Sequence, residues 1–236
     1  MPIQTNEHIV SSYEDELSFL AQSISEMGGR VEAAISSATA ALLKLDHAVA
    51  RQTVENDKRI DEMQRKIDEM AVSMIARRQP MAADLRMIVT SIHVANDLER
   101  MGDMAKQISR RALQIEGLAL APKFYNGVKH MSGLILGQVQ AALDAYATRN
   151  AAAAIEVCNK DDEIDALYTS LFRELLTYMM EDPRLITQCT HLLFAAKSLE
   201  RAGDHATNIA EAAYYLDTGK QLSDQVEDLH RQQIKE

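Results

Sequence analysis

The chain has 236 residues, 47% of them hydrophobic and 25% charged, a balance that excludes collagen-like, low-complexity and wholly disordered classes. Aromatic residues make up 5%, Trp is absent, and nine Gly and four Pro are too few to punctuate a strand-and-turn architecture, so the Ala, Leu, Met, Glu, Gln and Arg that remain argue for helices. Against 35 acidic residues stand 25 basic ones, a net charge of -10 that repels nucleic-acid phosphates and makes metal cations the natural partner of any carboxylate cluster.

From the amino end, MPIQTNEHIV carries neither a basic n-region nor an apolar h-region, and no stretch approaches eighteen apolar residues. The expectation is a cytosolic protein without a transmembrane segment. Gly and Pro fall at Gly28-Gly29, Pro80, Gly117 with Pro122, Gly127, Gly133, Gly137, Pro183 and Gly219. Between them apolar residues recur at three and four, most clearly at Ile60, Met63, Ile67, Met70 and Met74, and again at Ile164, Leu167, Leu171, Leu175 and Met179. The pattern predicts six long helices over 7–46, 48–78, 81–116, 121–148, 151–181 and 183–217, followed by a polar tail over 218–236. Short connections between long helices predict an all-α protein of up-and-down bundles. The break at Gly117 to Pro122 divides six helices into three and three, giving units at 1–118 and 119–217.

The division is an internal duplication. Residues 98–112, LERMGDMAKQISRRA, and 199–213, LERAGDHATNIAEAA, share eight of fifteen positions at an offset of 101, where average composition gives about one. On the preceding helix Asp57, Ile60 and Asp61 match Asp161, Ile164 and Asp165 at an offset of 104.

Each half therefore holds an Asp-x-x-x-Asp on its second helix, Asp57 with Asp61 and Asp161 with Asp165. Each also holds a Glu-x-x-x-Asp on its third, Glu99 with Asp103 and Glu200 with Asp204. Spacing i,i+4 stacks both carboxylates on one helical face. Helix three packs through Met87, Val94, Leu98, Met101, Ala105, Ile108 and Ala112, and Glu99 and Asp103 point roughly opposite to that seam. Asp57 and Asp61 lie about 100° from the Ile60/Met63/Ile67 seam. All eight carboxylates are thus expected on an accessible surface of the bundle. Like charges at i,i+4 repel, so something cationic should compensate: either neighbours such as Arg100, Arg201, Lys58 and Arg59, or a metal ion, Mg, Mn, Fe or Zn, held by oxygen ligands. Gly102 and Gly203 sit between the Glu and the Asp of each half, and an interior helical Gly, costing about 1 kcal/mol relative to Ala, implies a closely approaching neighbour or room beside an ion.

Other chemistry has less support. A di-iron enzyme of the ferritin type needs paired Glu-x-x-His, and the one such spacing is Glu227 to His230 in the tail. His205 has Met104 in its equivalent slot and reads as a surface or supporting residue; His93 and His191 read as helix-side histidines, and Cys158 and Cys189 as core thiols in a reducing compartment. No nucleophile elbow and no glycine-rich phosphate loop is present, so no enzymatic activity is expected.

With the N-terminal H-x-x-x-S-Y-E-D-E-L segment from His8 to Leu17, the paired Asp-x-x-Ile-Asp starts at Asp57 and Asp161, and LERMGD and LERAGDHATNIAE, the chain resembles the PhoU family of bacterial phosphate-transport accessory and signalling regulators over residues 5 to 217. The resemblance implies two similar three-helix bundles, with Asp57, Asp61, Glu99 and Asp103 as one set of metal ligands and Asp161, Asp165, Glu200 and Asp204 as the other. Gln107 and Arg110 stand where the second half has Asn208 and Glu211, which sets the first site apart. It further implies a homodimer that couples the phosphate ABC transporter ATPase subunit to the phosphate-sensing histidine kinase and represses the starvation response when phosphate is abundant. The protein would be cytoplasmic, peripheral at the inner membrane through those partners. A metal-free helical adaptor is the alternative reading, and a di-iron carboxylate protein a more distant one.

Overall fold

A computed structural model describes residues 4–115 and 122–222, with side chains from residue 13 and, in the second segment, from residue 123. The linker at Gly117 and most of the polar tail, including Glu227 and His230, lie outside the described residues. The helices are α1 (Gln4–Lys44), α2 (His47–Arg78), α3 (Ala82–Gln114), α4 (Asn126–Thr148), α5 (Ala151–Cys158), α6 (Asp161–Glu181) and α7 (Ile186–Thr218), with short 3-10 turns at Pro122–Tyr125 and Pro183–Leu185.

Local chemistry sets the ends. Asp46 caps α2, its carboxylate accepting from the backbone N–H groups of Ala48 and Val49. At the other end Gln79 turns left-handed at φ 51°, and Pro80 prevents the helix from continuing. Asn150 caps α5 by accepting from the Ala153 N–H, and Gly219, at φ 72°, closes α7.

The helix expected over 151–181 is two helices. Asn159 and Lys160 form a turn between α5 and α6, and Asp161, Asp162 and Glu163 occupy the first turn of α6. Three acids in succession favour a helix N-terminus, where they meet the positive end of the dipole, over a helix interior. The corresponding stretch of α2 lacks that triplet and runs unbroken.

α1, α2 and α3 form one three-helix bundle; α4, the α5–α6 pair and α7 form the second. α3 and α7 lie against each other at the centre, and α1 crosses α4 so closely that a Cβ on Gly28 would sit 2.6 Å from Leu143 Cδ1. Buried hydrogen bonds tie the halves together, Ser132 Oγ donating to Thr39 Oγ1 at 3.0 Å and Ser91 Oγ meeting Tyr146 Oη at 2.8 Å. The apolar interior is accordingly one continuous core spanning both bundles. Every residue of the α3 seam named above is buried, as are Leu199, Ala202, Ala206, Ile209 and Ala213 on α7. Burial of apolar surface is worth about 25 cal/mol per Å2 removed from water, and α1, with Leu20, Ile24, Met27, Val31, Ile35 and Leu42 buried, contributes to this core beside α3 and α7.

Candidate cation site

In the first half the carboxylates do not sit where a single-seam reading places them. Asp57 is 3% exposed, because α2 packs against both α1 and α3 and buries Thr53, Asp57 and Ile60 together. Asp61, Glu99 and Asp103 are half-buried. α3 is likewise covered on several sides and buries Gly102 and Met104 in addition to its seam, so Glu99 and Asp103 flank the packed surface instead of opposing it.

The compensating charge is Lys106. Its Nζ lies 2.5 Å from Asp57 Oδ2 and 3.2 Å from Asp103 Oδ1, bridging α2 and α3. Burial raises the Asp57 carboxyl above its ordinary range, with Lys106 acting against that rise, while the bond to Asp57 raises the Lys106 ammonium. Burial and the neighbouring Asp103 likewise raise Glu99, which Arg100 meets at 3.5 Å. Asp57 Oδ1 has no hydrogen-bond partner among the described residues and lies against Gly102, where a Cβ would come within 3.4 Å of it and 3.1 Å of Ile60 Cδ1. Close helix approach is therefore what Gly102 serves. Gly203 is alike, an added Cβ there meeting Ile135 Cδ1 at 2.9 Å and Gln138 Oε1 at 3.1 Å.

The second half is built differently. Carboxylate oxygens of Asp165, Glu200 and Asp204 lie within 4.8 Å of one another. The residue equivalent to Lys106 is Thr207, whose hydroxyl donates to Asp161 Oδ1 at 3.1 Å and accepts from Gln138 Nε2 at 3.2 Å. Asp161 is thus held by a neutral donor. Lys197 Nζ, on an exposed side chain, meets Glu200 Oε1 at 2.6 Å. Asp204 is raised by desolvation and then by Glu200 and Asp161, with Lys197 acting against the rise and Asp165 adding to it. Three converging oxygens of this kind suit a hard cation such as Mg or Mn. In the first half the Lys106 ammonium occupies the space between Asp57 and Asp103.

His205 is half-buried and acts as a supporting residue. Its Nδ1 lies 2.9 Å from Asp97 Oδ1, which also accepts from Asn208 Nδ2 at 3.2 Å, a link between α7 and α3. His93 is exposed, and His191 is half-buried and held below the ordinary imidazole range by burial and Arg111. Cys189 is buried, and burial pushes the half-buried Cys158 thiol up to about 11, so neither is a reactive thiolate. Lys106 was not among the cations expected from the sequence, although its i+3 spacing from Asp103 carried the signal; Asp97 carried none, because its partners belong to the other half of the chain.

The PhoU domain matches this chain twice, over residues 24–112 and 128–213. The chain belongs to the PhoU family. It is 50% identical over 214 residues to the phosphate-specific transport system accessory protein PhoU homolog of Rhizobium meliloti, covering 91% of this chain and 90% of that one. To the homolog of the same description from Caulobacter vibrioides it is 45% identical over 219 residues, covering 93% and 95%. Among solved structures, PhoU from Pseudomonas aeruginosa superposes with a TM-score of 0.84 at 42% identity, covering 88% of this chain and all of that one. The phosphate transport system regulatory protein PhoU from Streptococcus pneumoniae superposes at 0.82 with 31% identity, covering 89% and 99%. The two PhoU matches fall on the two bundles, each ending on the helix that carries LER-x-GD.

Proposed function

We propose that the chain is an accessory regulator of phosphate-specific transport, built as two PhoU units over 1–118 and 119–217 with a polar tail beyond. What carries the reading is identity of 41–50% along nine-tenths of the chain to proteins of that description. In this reading the protein couples the phosphate ABC transporter ATPase subunit to the phosphate-sensing histidine kinase in the cytoplasm, as a homodimer, and represses the starvation response when phosphate is plentiful. Its role is regulatory and not enzymatic. Exposed Phe172, Leu176 and Met180, stacked at i, i+4 and i+8 on α6, supply an apolar stripe of the kind that partner helices cover. No helix among the described residues is long and apolar enough to cross a membrane, so contact with the transporter would be peripheral.

Asp165, Glu200 and Asp204 would hold a divalent cation, with Asp161 beside them, and the ion would supply charge neutralisation that orders this face. In the first half, Asp57, Asp61, Glu99 and Asp103 would form the other set, where a cation would have to displace Lys106 from Asp57 and Asp103. Deleting the gene tests the regulatory role: alkaline phosphatase is expected to switch on in phosphate-rich medium, and unchanged repression refutes it. Elemental analysis of protein purified without chelator tests the cation site, with one ion per chain expected.

A further inference from the structure

The depression between α1 and α2 and the one between α4 and the α5–α6 pair are copies of each other. Each of the eight residues that line the first has its counterpart in the second at a constant offset of 104. A depression that survives duplication belongs to the way the first and second helices of the unit diverge. Ile60 and Ile164 lie in both, yet most of the lining has changed its chemistry. Arg30, Asn56 and Arg59 correspond to Leu134, Lys160 and Glu163, and the hydroxyls of Ser37 and Thr53 correspond to Ala141 and Val157. The second pocket carries one charge of each sign. The first carries two guanidiniums, an amide and two hydroxyls, and no carboxylate.

In a chain of net charge -10, that is a local inversion of sign. Arg30 is shared with the exposed Glu26 at 2.8 Å, and Arg59 makes no ion pair with the described residues. Thr53 is buried and spends its hydroxyl proton on the Val49 carbonyl at 3.0 Å, leaving Ser37 and Asn56 as the neutral donors. The depression measures about 160 Å3, room for a tetrahedral anion and a few waters. It continues into a groove that shares Arg30 and Arg59 and is lined by Phe19, Met63 and Met70, with Glu26, Glu62 and Lys66 along its sides.

We propose that the α1–α2 pocket binds a phosphate-class oxyanion, with Arg30 and Arg59 as its charged donors and Ser37 and Asn56 completing the shell. Guanidinium forks match the oxygens of a phosphoryl group in pairs, and charge-assisted bonds of this kind are about twice as strong as neutral ones. The anion is either free inorganic phosphate or the terminal group of a phosphomonoester whose organic part lies along the adjoining groove. The site stands on its own lining, independent of the cation site and of the regulatory role.

The test titrates the purified full chain with inorganic phosphate and, separately, with glycerol phosphate, following 31P line broadening and heat at low salt. Saturable binding with a Kd of about 1 mM or tighter is expected, weakening at least about tenfold in Arg59→Ala and further in Arg30→Ala/Arg59→Ala. Added salt should weaken it as well. Lys160→Ala, in the copied pocket, should leave it unchanged. Tighter binding of the ester identifies the monoester, and equal or weaker binding identifies the free anion. Absence of saturable binding by both probes overturns the proposal, as does binding that Arg59→Ala leaves intact while circular dichroism shows the variant folded.

Discussion

Lys106 Nζ lies 2.5 Å from Asp57 Oδ2, and the carboxylate it neutralises is almost wholly enclosed between α2 and α3. Removing the lysine leaves a buried anion with neither of its oxygens paired, since Oδ1 already has no partner. Breaking one side of a fully buried pair costs about 3–5 kcal/mol; Lys106 retains some solvent contact, so Lys106→Met is expected to lose roughly 2–3 kcal/mol. Urea unfolding at neutral pH measures it. Lys106→Met/Asp57→Leu should recover most of the loss, and a double variant no better than the single one would show that the lysine acts through packing alone.

Lys106→Thr copies the second half into the first. The hydroxyl of Thr207 is what stands at the equivalent position, donating to Asp161. With the ammonium gone, Asp57, Asp61, Glu99 and Asp103 hold four carboxylates without an internal cation. The expected outcome is a second bound ion per chain by elemental analysis after loading with Mn, and a stability that depends more steeply on Mn concentration. A stoichiometry that stays at one would mean that the burial of Asp57 excludes a hydrated ion as well.

The duplication, the helical class and the buried seams of α3 and α7 were legible because identity at a fixed offset and a repeat of three and four residues are properties of the chain alone. What escaped was the number of neighbours each helix has. Asp57 reads as peripheral on α2 taken with one seam, and is buried because α2 meets both α1 and α3. The same reason hid the Asp97–His205 link, whose two residues lie on different halves, whereas the break at Asn159 and Lys160 was missed although the Asp-Asp-Glu triplet behind it carried the signal.

Neighbouring glycines on α1 should respond with opposite signs. Nothing among the described residues lies within 4 Å of a Cβ built on Gly29, so Gly29→Ala gains the helix propensity, about 0.5–1 kcal/mol. At Gly28 the new methyl would meet Leu143 Cδ1 at 2.6 Å, and forcing α1 and α4 apart or Leu143 into another rotamer is expected to cost about 1–2 kcal/mol net. Urea midpoints of the two variants against the parent measure this. A stabilising Gly28→Ala would show that Leu143 moves aside freely and that the α1–α4 crossing is loosely specified.

Glu16 joins the start of α1 to the end of α2, accepting from Arg78 Nη2 at 2.9 Å and lying 3.5 Å from Arg77 Nη2. The bond to Arg78 holds its carboxyl below the ordinary value of 4.5, with burial opposing. A carboxyl lowered on folding binds fewer protons in the folded state than in the unfolded one. Its stabilisation is therefore complete above the unfolded value and is lost as pH falls through the lowered one. Glu16→Gln should be less stable than the parent by up to about 1 kcal/mol at pH 7, the scale of a partly exposed pair. The gap should close as both proteins are taken down through the acidic range, because the parent loses its charge there and the variant has none to lose. Urea midpoints measured from pH 7 downward check the sign. A gap that stays constant with pH would assign the effect to the packing of the side chain and leave the ion pair without a role in holding α1 to α2.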